Sequence, residues 1–79
     1  MAATVWSRLK GLIIEQLGVD EDDVVPAASF VDDLNADSLE LVDLTARIEE
    51  EFAIEIPDGD ARRLQTVQDV IDYVEEHMA

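Results

Sequence analysis

An all-α fold is predicted: a four-helix bundle of three principal helices and one short helix, with a long first connection. Three observations predict it. Apolar residues recur at helical spacing in three separate stretches, punctuating residues bracket those stretches (Gly18 after the first, Asp37 and Thr66 before the others), and no stretch shows the alternation of a strand. The 79 residues make one domain, residues 1–79, and a core of that size supplies no more than ~3–5 kcal/mol of net stability.

Residues 4–17 read as the first helix, with Val5, Trp6, Leu9, Leu12, Ile13 and Leu17 on one stripe and Arg8, Lys10 and Glu15 off it. Gly18 is its natural C-cap, and Trp6 beside the stripe reads as core or partial core. Val19 to Asp37 is a long connection holding Pro26 and the run Asp20-Glu21-Asp22-Asp23; loops of this length need anchors, for which Val24, Phe30, Val31 and Leu34 are the candidates. The second helix opens at Ser38 behind Asp37, with Glu40 at the capping-box distance and Leu41, Leu44, Thr45, Ile48 and Phe52 as its core stripe. Ala53 to Pro57 is irregular, since Pro57 drives Ile56 from helical geometry, and residues 58–64 form the short helix. Thr66, with Asp69 three residues on, caps the last helix, whose stripe is Val67, Val70, Ile71, Val74 and Met78.

Twenty acidic residues against five basic give a net charge of −15, and the acid is concentrated. Residues 20–60 hold fifteen acids and one base, Arg47, a net −14; residues 1–19 carry +1 and residues 61–79 carry −2. Such a field repels nucleic acid and anionic membranes and speeds encounter with basic protein surfaces. No run approaches the ~20 apolar residues of a membrane span. There is no cysteine, and Leu12-Ile13-Ile14 is interrupted by Glu15 with no small-residue cleavage site after it, so a cytoplasmic chain is expected. The run at 20–23 fails as a calcium-binding EF-hand loop, because Val24 and Val25 occupy the positions that need a ligand and a glycine; no metal site is expected.

The second helix is unusual on its far side. Leu39, Val42 and Ala46 fall opposite the core stripe among Asp43 and Glu50, with Glu40 and Glu49 flanking, so water meets aliphatic groups in an acidic frame. That combination suits docking of a basic partner, carboxylates steering the approach and apolar groups adding burial. Ser38 has no catalytic company: the lone histidine, His77, is at the far end, and no nucleophile elbow is present, so no catalytic residue is expected and the chain reads as a non-enzyme. A phosphoester on Ser38, however, lies where free N–H groups and the helix dipole favour an anion.

Leu34-Asn35-Ala36-Asp37-Ser38-Leu39-Glu40 resembles the Asp-Ser-Leu motif of acyl carrier proteins. The resemblance covers nearly the whole chain, through residues 28–34 before the motif, Glu49-Glu50-Glu51-Phe52 and Glu55-Ile56-Pro57 after it, and residues 66–74 near the end. It implies that Ser38 carries 4'-phosphopantetheine, transferred from coenzyme A by a separate phosphopantetheinyl transferase, with growing acyl chains held as thioesters on its thiol. It further implies a monomeric, freestanding carrier for fatty-acid biosynthesis. The transferase and the biosynthetic enzymes would use basic patches to read Asp37, Leu39, Val42, Asp43, Ala46 and Glu50. The acyl chain would shelter between the second and the short helix, lined by Phe30, Ile48, Ile56, Ala61 and Leu64.

Three residues depart from that family's pattern. Asn35 replaces the usual Gly, Ala46 a larger apolar residue, and Arg47 puts a cation in the recognition helix. Asn is the next most tolerant residue of left-handed backbone, so the turn is expected to survive. Carriage of polyketide or D-alanyl cargo, and an unmodified acidic protein-interaction domain, stay open as alternatives.

Overall fold

The structure, a computed structural model, describes residues 4–78. Residues 1–3 and 79 of the expected domain lie outside the described residues. Four helices follow in order: α1 Val5–Leu17, α2 Ser38–Phe52, the short α3 Asp58–Ala61 and α4 Val67–Met78, with one 3-10 turn, Glu21–Asp23, in the long first connection. Among the described residues the β pairing is confined to one isolated bridge between Ser29 and Thr66. This is the expected all-α bundle.

Each principal helix starts and stops where local chemistry dictates. The Thr4 hydroxyl accepts the Ser7 N–H at 3.1 Å, and Gly18, at φ 64°, ends α1 by donating to the Ile14 carbonyl at 2.9 Å. At α4 the Thr66 hydroxyl accepts the Asp69 N–H at 3.2 Å while the Asp69 carboxylate accepts the Thr66 N–H at 3.1 Å, a reciprocal capping box. The C-terminus of α2 was not legible in advance: Ala53 takes the left-handed conformation at φ 54°, with the Ala53 and Ile54 N–H groups both directed at the Glu49 carbonyl. That Schellman-like end normally selects glycine.

The core is wholly apolar. Leu9, Leu12 and Ile13 of α1 meet Leu44, Ile48 and Phe52 of α2 and Val67, Val70, Ile71 and Val74 of α4, and no charged or polar residue is buried among the described residues. Trp6 packs partly buried against this cluster, as expected.

The long connection is pinned along its length. Val24, Phe30 and Leu34 are buried with Ala28 and Ala36, but Val31 is 56% exposed, so it is no anchor. The reason lies in the turn that carries it. The Asp33 carboxylate accepts the Ser29 N–H at 2.7 Å, and the Asp33 and Leu34 N–H groups both bond the Ser29 carbonyl, which turns Val31 outward while Phe30 and Leu34 point in. The Pro26 and Ala28 carbonyls then accept the Gln68 and Val67 N–H groups, so the loop satisfies the first turn of α4.

One boundary and one expected core residue differ from expectation. The short helix ends at Ala61 rather than 64, because the Arg63 and Leu64 N–H groups take the Asp60 and Ala61 carbonyls, three residues back, in place of the carbonyls four back that would continue an α-helix. Met78, expected in the core stripe, is 46% exposed in the last turn of α4.

Candidate functional site

Ser38 occupies the first position of α2 and its side chain is exposed. The chain reaches it through a fixed approach. Asn35 is left-handed at φ 55°, and the buried Ala36 donates its N–H to the Phe30 carbonyl at 2.8 Å. Asp37 then caps the helix: its carboxylate accepts the Glu40 N–H at 2.8 Å, and the Glu40 carboxylate accepts the Asp37 N–H at 3.2 Å. With the Glu40 and Leu41 donors taken, the N–H groups of Ser38 and Leu39 donate to no acceptor among the described residues. An exposed hydroxyl therefore stands beside two free donors at the positive end of a helix 15 residues long.

Downstream, Leu39, Val42, Asp43, Ala46 and Glu50 all face water, Leu39 at 70% and Val42 at 65% exposure. Their spacing repeats that of Leu41, Leu44, Thr45, Ile48 and Phe52 two residues out of step, a turn of about 200° around the helix axis. The same helix thus presents one apolar stripe to the core and a second, mixed with acid, to solvent.

Four charged residues of α2 are engaged elsewhere, Glu51 among them through Arg8 of α1. Glu40 belongs to the capping box, and Glu49, half-buried, accepts the Ile56 N–H at 2.9 Å. The Arg47 guanidinium turns to α1, 3.4 Å from the Gln16 amide oxygen and 3.9 Å from the Glu15 carboxylate. It is the cation expected in this helix, and it is turned toward α1 as a tie between two helices.

Behind this surface lies a cavity of about 40 Å³. Phe30, Ile48, Ile56, Ala61 and Leu64 line it together, joined by Leu41, Leu44, Thr45 and Val70. An open groove of about 330 Å³ lies outside it, between the 29–32 turn and the 61–65 segment, and shares Phe30, Leu41, Ala61 and Leu64 with the cavity. Leu41, a member of the core stripe, borders both spaces. Its position at the N-terminal limit of the core stripe, where a helix runs out from under its neighbours, was the signal available.

Elsewhere the chemistry is sparse. His77 sets its Nδ1 2.8 Å from the Tyr73 carbonyl and stacks on the Tyr73 ring at 4.0 Å, a local contact within α4. In the acidic run, Glu21 lies 3.6 Å from the Lys10 ammonium. Among the described residues no three acidic or imidazole side chains converge as metal donors, and no helix is long and apolar enough to cross a membrane.

A family model described as "Phosphopantetheine attachment site" matches residues 7–74, which takes in all of α2 and α3, most of α1 and α4, Ser38 and the residues that line the cavity and groove.

Proposed function

The chain belongs to the phosphopantetheine-attachment family of carrier proteins, bearing covalent 4'-phosphopantetheine, and from that premise we propose that Ser38 is the attachment residue and that the cargo is the growing acyl chain of fatty-acid biosynthesis. The observation that carries the choice of serine is the exposed Ser38 hydroxyl beside the two unengaged N–H groups of Ser38 and Leu39. A phosphodiester formed there finds donors and a favourable dipole, so the residues present fit the group. The other serines offer less. Ser29 is partly buried with its hydroxyl accepting the Asp32 N–H, and Ser7 lies between Trp6 and Arg8, away from the acidic stretch.

The arm supplies a thiol for thioester formation, which this cysteine-free chain lacks. On this reading the protein is a carrier and not an enzyme: it positions, steers and shelters. Asp37 holds the helix start in place and so presents the hydroxyl. Leu39, Val42, Asp43, Ala46 and Glu50 form the surface that the transferase and successive cytoplasmic enzymes grip through basic patches, a preference reinforced by the net −14 between residues 20 and 60. The cavity lined by Phe30, Ile48, Ile56, Ala61 and Leu64 receives the acyl chain, each methylene removed from water contributing about 0.8 kcal/mol.

Incubation with coenzyme A and a promiscuous phosphopantetheinyl transferase tests the site. The expected result is a mass gain of one phosphopantetheinyl group in the wild type and none in Ser38→Ala; a gain that persists in Ser38→Ala overturns it. Presenting the acyl-loaded form to ketosynthases of fatty-acid and polyketide type tests the pathway, and elongation by the polyketide enzymes alone would exclude the fatty-acid assignment.

A further inference from the structure

The cavity of about 40 Å³ is barely larger than the ~30 Å³ that one water occupies in the liquid. An acyl chain of more than a few carbons that stays enclosed there, instead of running out into the adjoining groove past Leu41 and Leu64, must widen it, and the walls differ in how firmly they are held. Leu44, Thr45 and Ile48 stand on α2, and Val70 on α4, long helices that both pack against α1. Ile56, Ala61 and Leu64 stand on a segment whose one helix is four residues long, contains Gly59 and begins without a side-chain cap. Glycine inside a helix costs about 1 kcal/mol relative to alanine. The third wall is the least braced of these.

Few side chains hold that wall. Glu49 accepts the Ile56 N–H at 2.9 Å, at the start of the segment. At its middle, the Tyr73 hydroxyl donates to the Asp60 carboxylate at 2.8 Å; the Glu55 carbonyl, at 3.4 Å from the same oxygen, is a distant second acceptor for a single proton. Tyr73 is itself well braced, since its ring stacks on His77 and α4 is anchored in the core. Burial and the Asp60 carboxylate push its hydroxyl up to about 12, so the donor keeps its proton at every ordinary pH.

We propose that the Tyr73–Asp60 hydrogen bond is the latch that sets how far the α3 wall opens, and thereby limits the length of acyl chain the protein shelters. The proposal rests on the carrier reading of Ser38. Tyr73 is a positioning residue here: it acts on the cargo through Asp60 and α3.

The holo protein, loaded with saturated acyl chains of increasing length, tests the latch in the wild type, in Tyr73→Phe, in Asp60→Ala and in the double variant. Two quantities are read: amide exchange between Asp60 and Leu64, and the gain in melting temperature on acylation relative to the same variant's unacylated holo form. Loss of a hydrogen bond to a charged acceptor is expected to quicken exchange there by about tenfold or more. In both single variants the gain in melting temperature should keep rising at chain lengths where the wild type has levelled off, and the double variant should match the singles. Asp60→Asn, which keeps a neutral acceptor of the same shape, should fall between. A role confined to fold stability lowers every form equally and leaves the levelling-off length unchanged; that outcome overturns the latch. Failure of Ser38 to accept the arm overturns the carrier reading together with the latch, whereas loaded carriers with an unaltered length dependence overturn the latch alone.

Discussion

Arg8 of α1 grips Glu51 of α2 through both its side chain and its backbone. Nε and a terminal guanidinium nitrogen donate to the Glu51 carboxylate at 3.0 and 2.7 Å, and the same terminal nitrogen donates to the Glu51 carbonyl at 2.8 Å. The guanidinium also lies 4.7 Å from the centroid of the Phe52 ring. Glu51 is in the last turn of α2, where carbonyls lack intrahelical partners, so a cation from α1 completes the end of α2.

Both members of this pair are more than a third solvent-accessible or nearly so, which leaves the ionic attraction alone worth little. The carbonyl bond and the stacked plane carry more, and lysine offers neither the fork nor the plane. Arg8→Lys is therefore expected to lower stability by about 1 kcal/mol, a fall in melting temperature of roughly 4–8 °C in a domain of this size. Urea unfolding measures it, and a midpoint equal to wild type would show that a point charge suffices.

Ala53 holds a left-handed conformation at φ 54° that its β-carbon disfavours. Ala53→Gly should raise stability by about 0.5–1 kcal/mol, the relief of strain being partly offset by a freer unfolded chain. Ala53→Val should do the reverse. If glycine at 53 destabilises, the Schellman-like end of α2 is not what limits that turn.

The Asp37 cap predicts a graded response. Asp37→Ala leaves the Glu40 N–H without its acceptor and should cost about 1 kcal/mol, while Asp37→Ser, which restores an acceptor, should recover most of the loss. Thermal unfolding followed by circular dichroism reads both variants, and equal stability of the two would remove the cap from the account.

Tyr73 is the only tyrosine, so its ionisation is directly visible as phenolate absorbance. Its neutral form is favoured in the fold, with a midpoint near 12 in place of the ordinary ~10. The stability this supplies is complete below pH ~10 and disappears as pH rises from there through 12. Asp60→Asn should bring the midpoint down. A wild-type midpoint near 10 in protein that is still helical would contradict the partly buried hydroxyl and its bond to Asp60.

Charge repulsion among the acids of residues 20–60 opposes compaction. Millimolar magnesium, or added sodium chloride, is expected to raise the melting temperature by screening it. An unchanged or lower value would mean that the repulsion has little weight in this fold.

Much of the molecule was legible in advance because its signals are local. The stripes at i, i+3, i+4 and i+7, Gly18 as a C-cap, and the boxes Asp37–Glu40 and Thr66–Asp69 depend on residues within a turn or two of each other. The left-handed turn at Asn35 was expected from the resemblance, which puts glycine there, whereas Ala53, a residue with no preference for that conformation, gave no warning. Val31 was misread because alternate burial in a turn follows the hydrogen bonds of Ser29 and Asp33, and these do not show in hydrophobicity.

By itself the sequence determined three helices, the C-cap of the first and the capping boxes of the other two, an acidic surface, and a serine at the mouth of α2, since each follows from neighbours along the chain. Only the tertiary structure decided that Arg47 faces α1, that Leu41 borders both cavity and groove, and that Tyr73 reaches Asp60 thirteen residues away. Those relations depend on how helices cross and which walls meet, and that is set by the packing of side chains brought together from distant stretches rather than by any one stretch's periodicity.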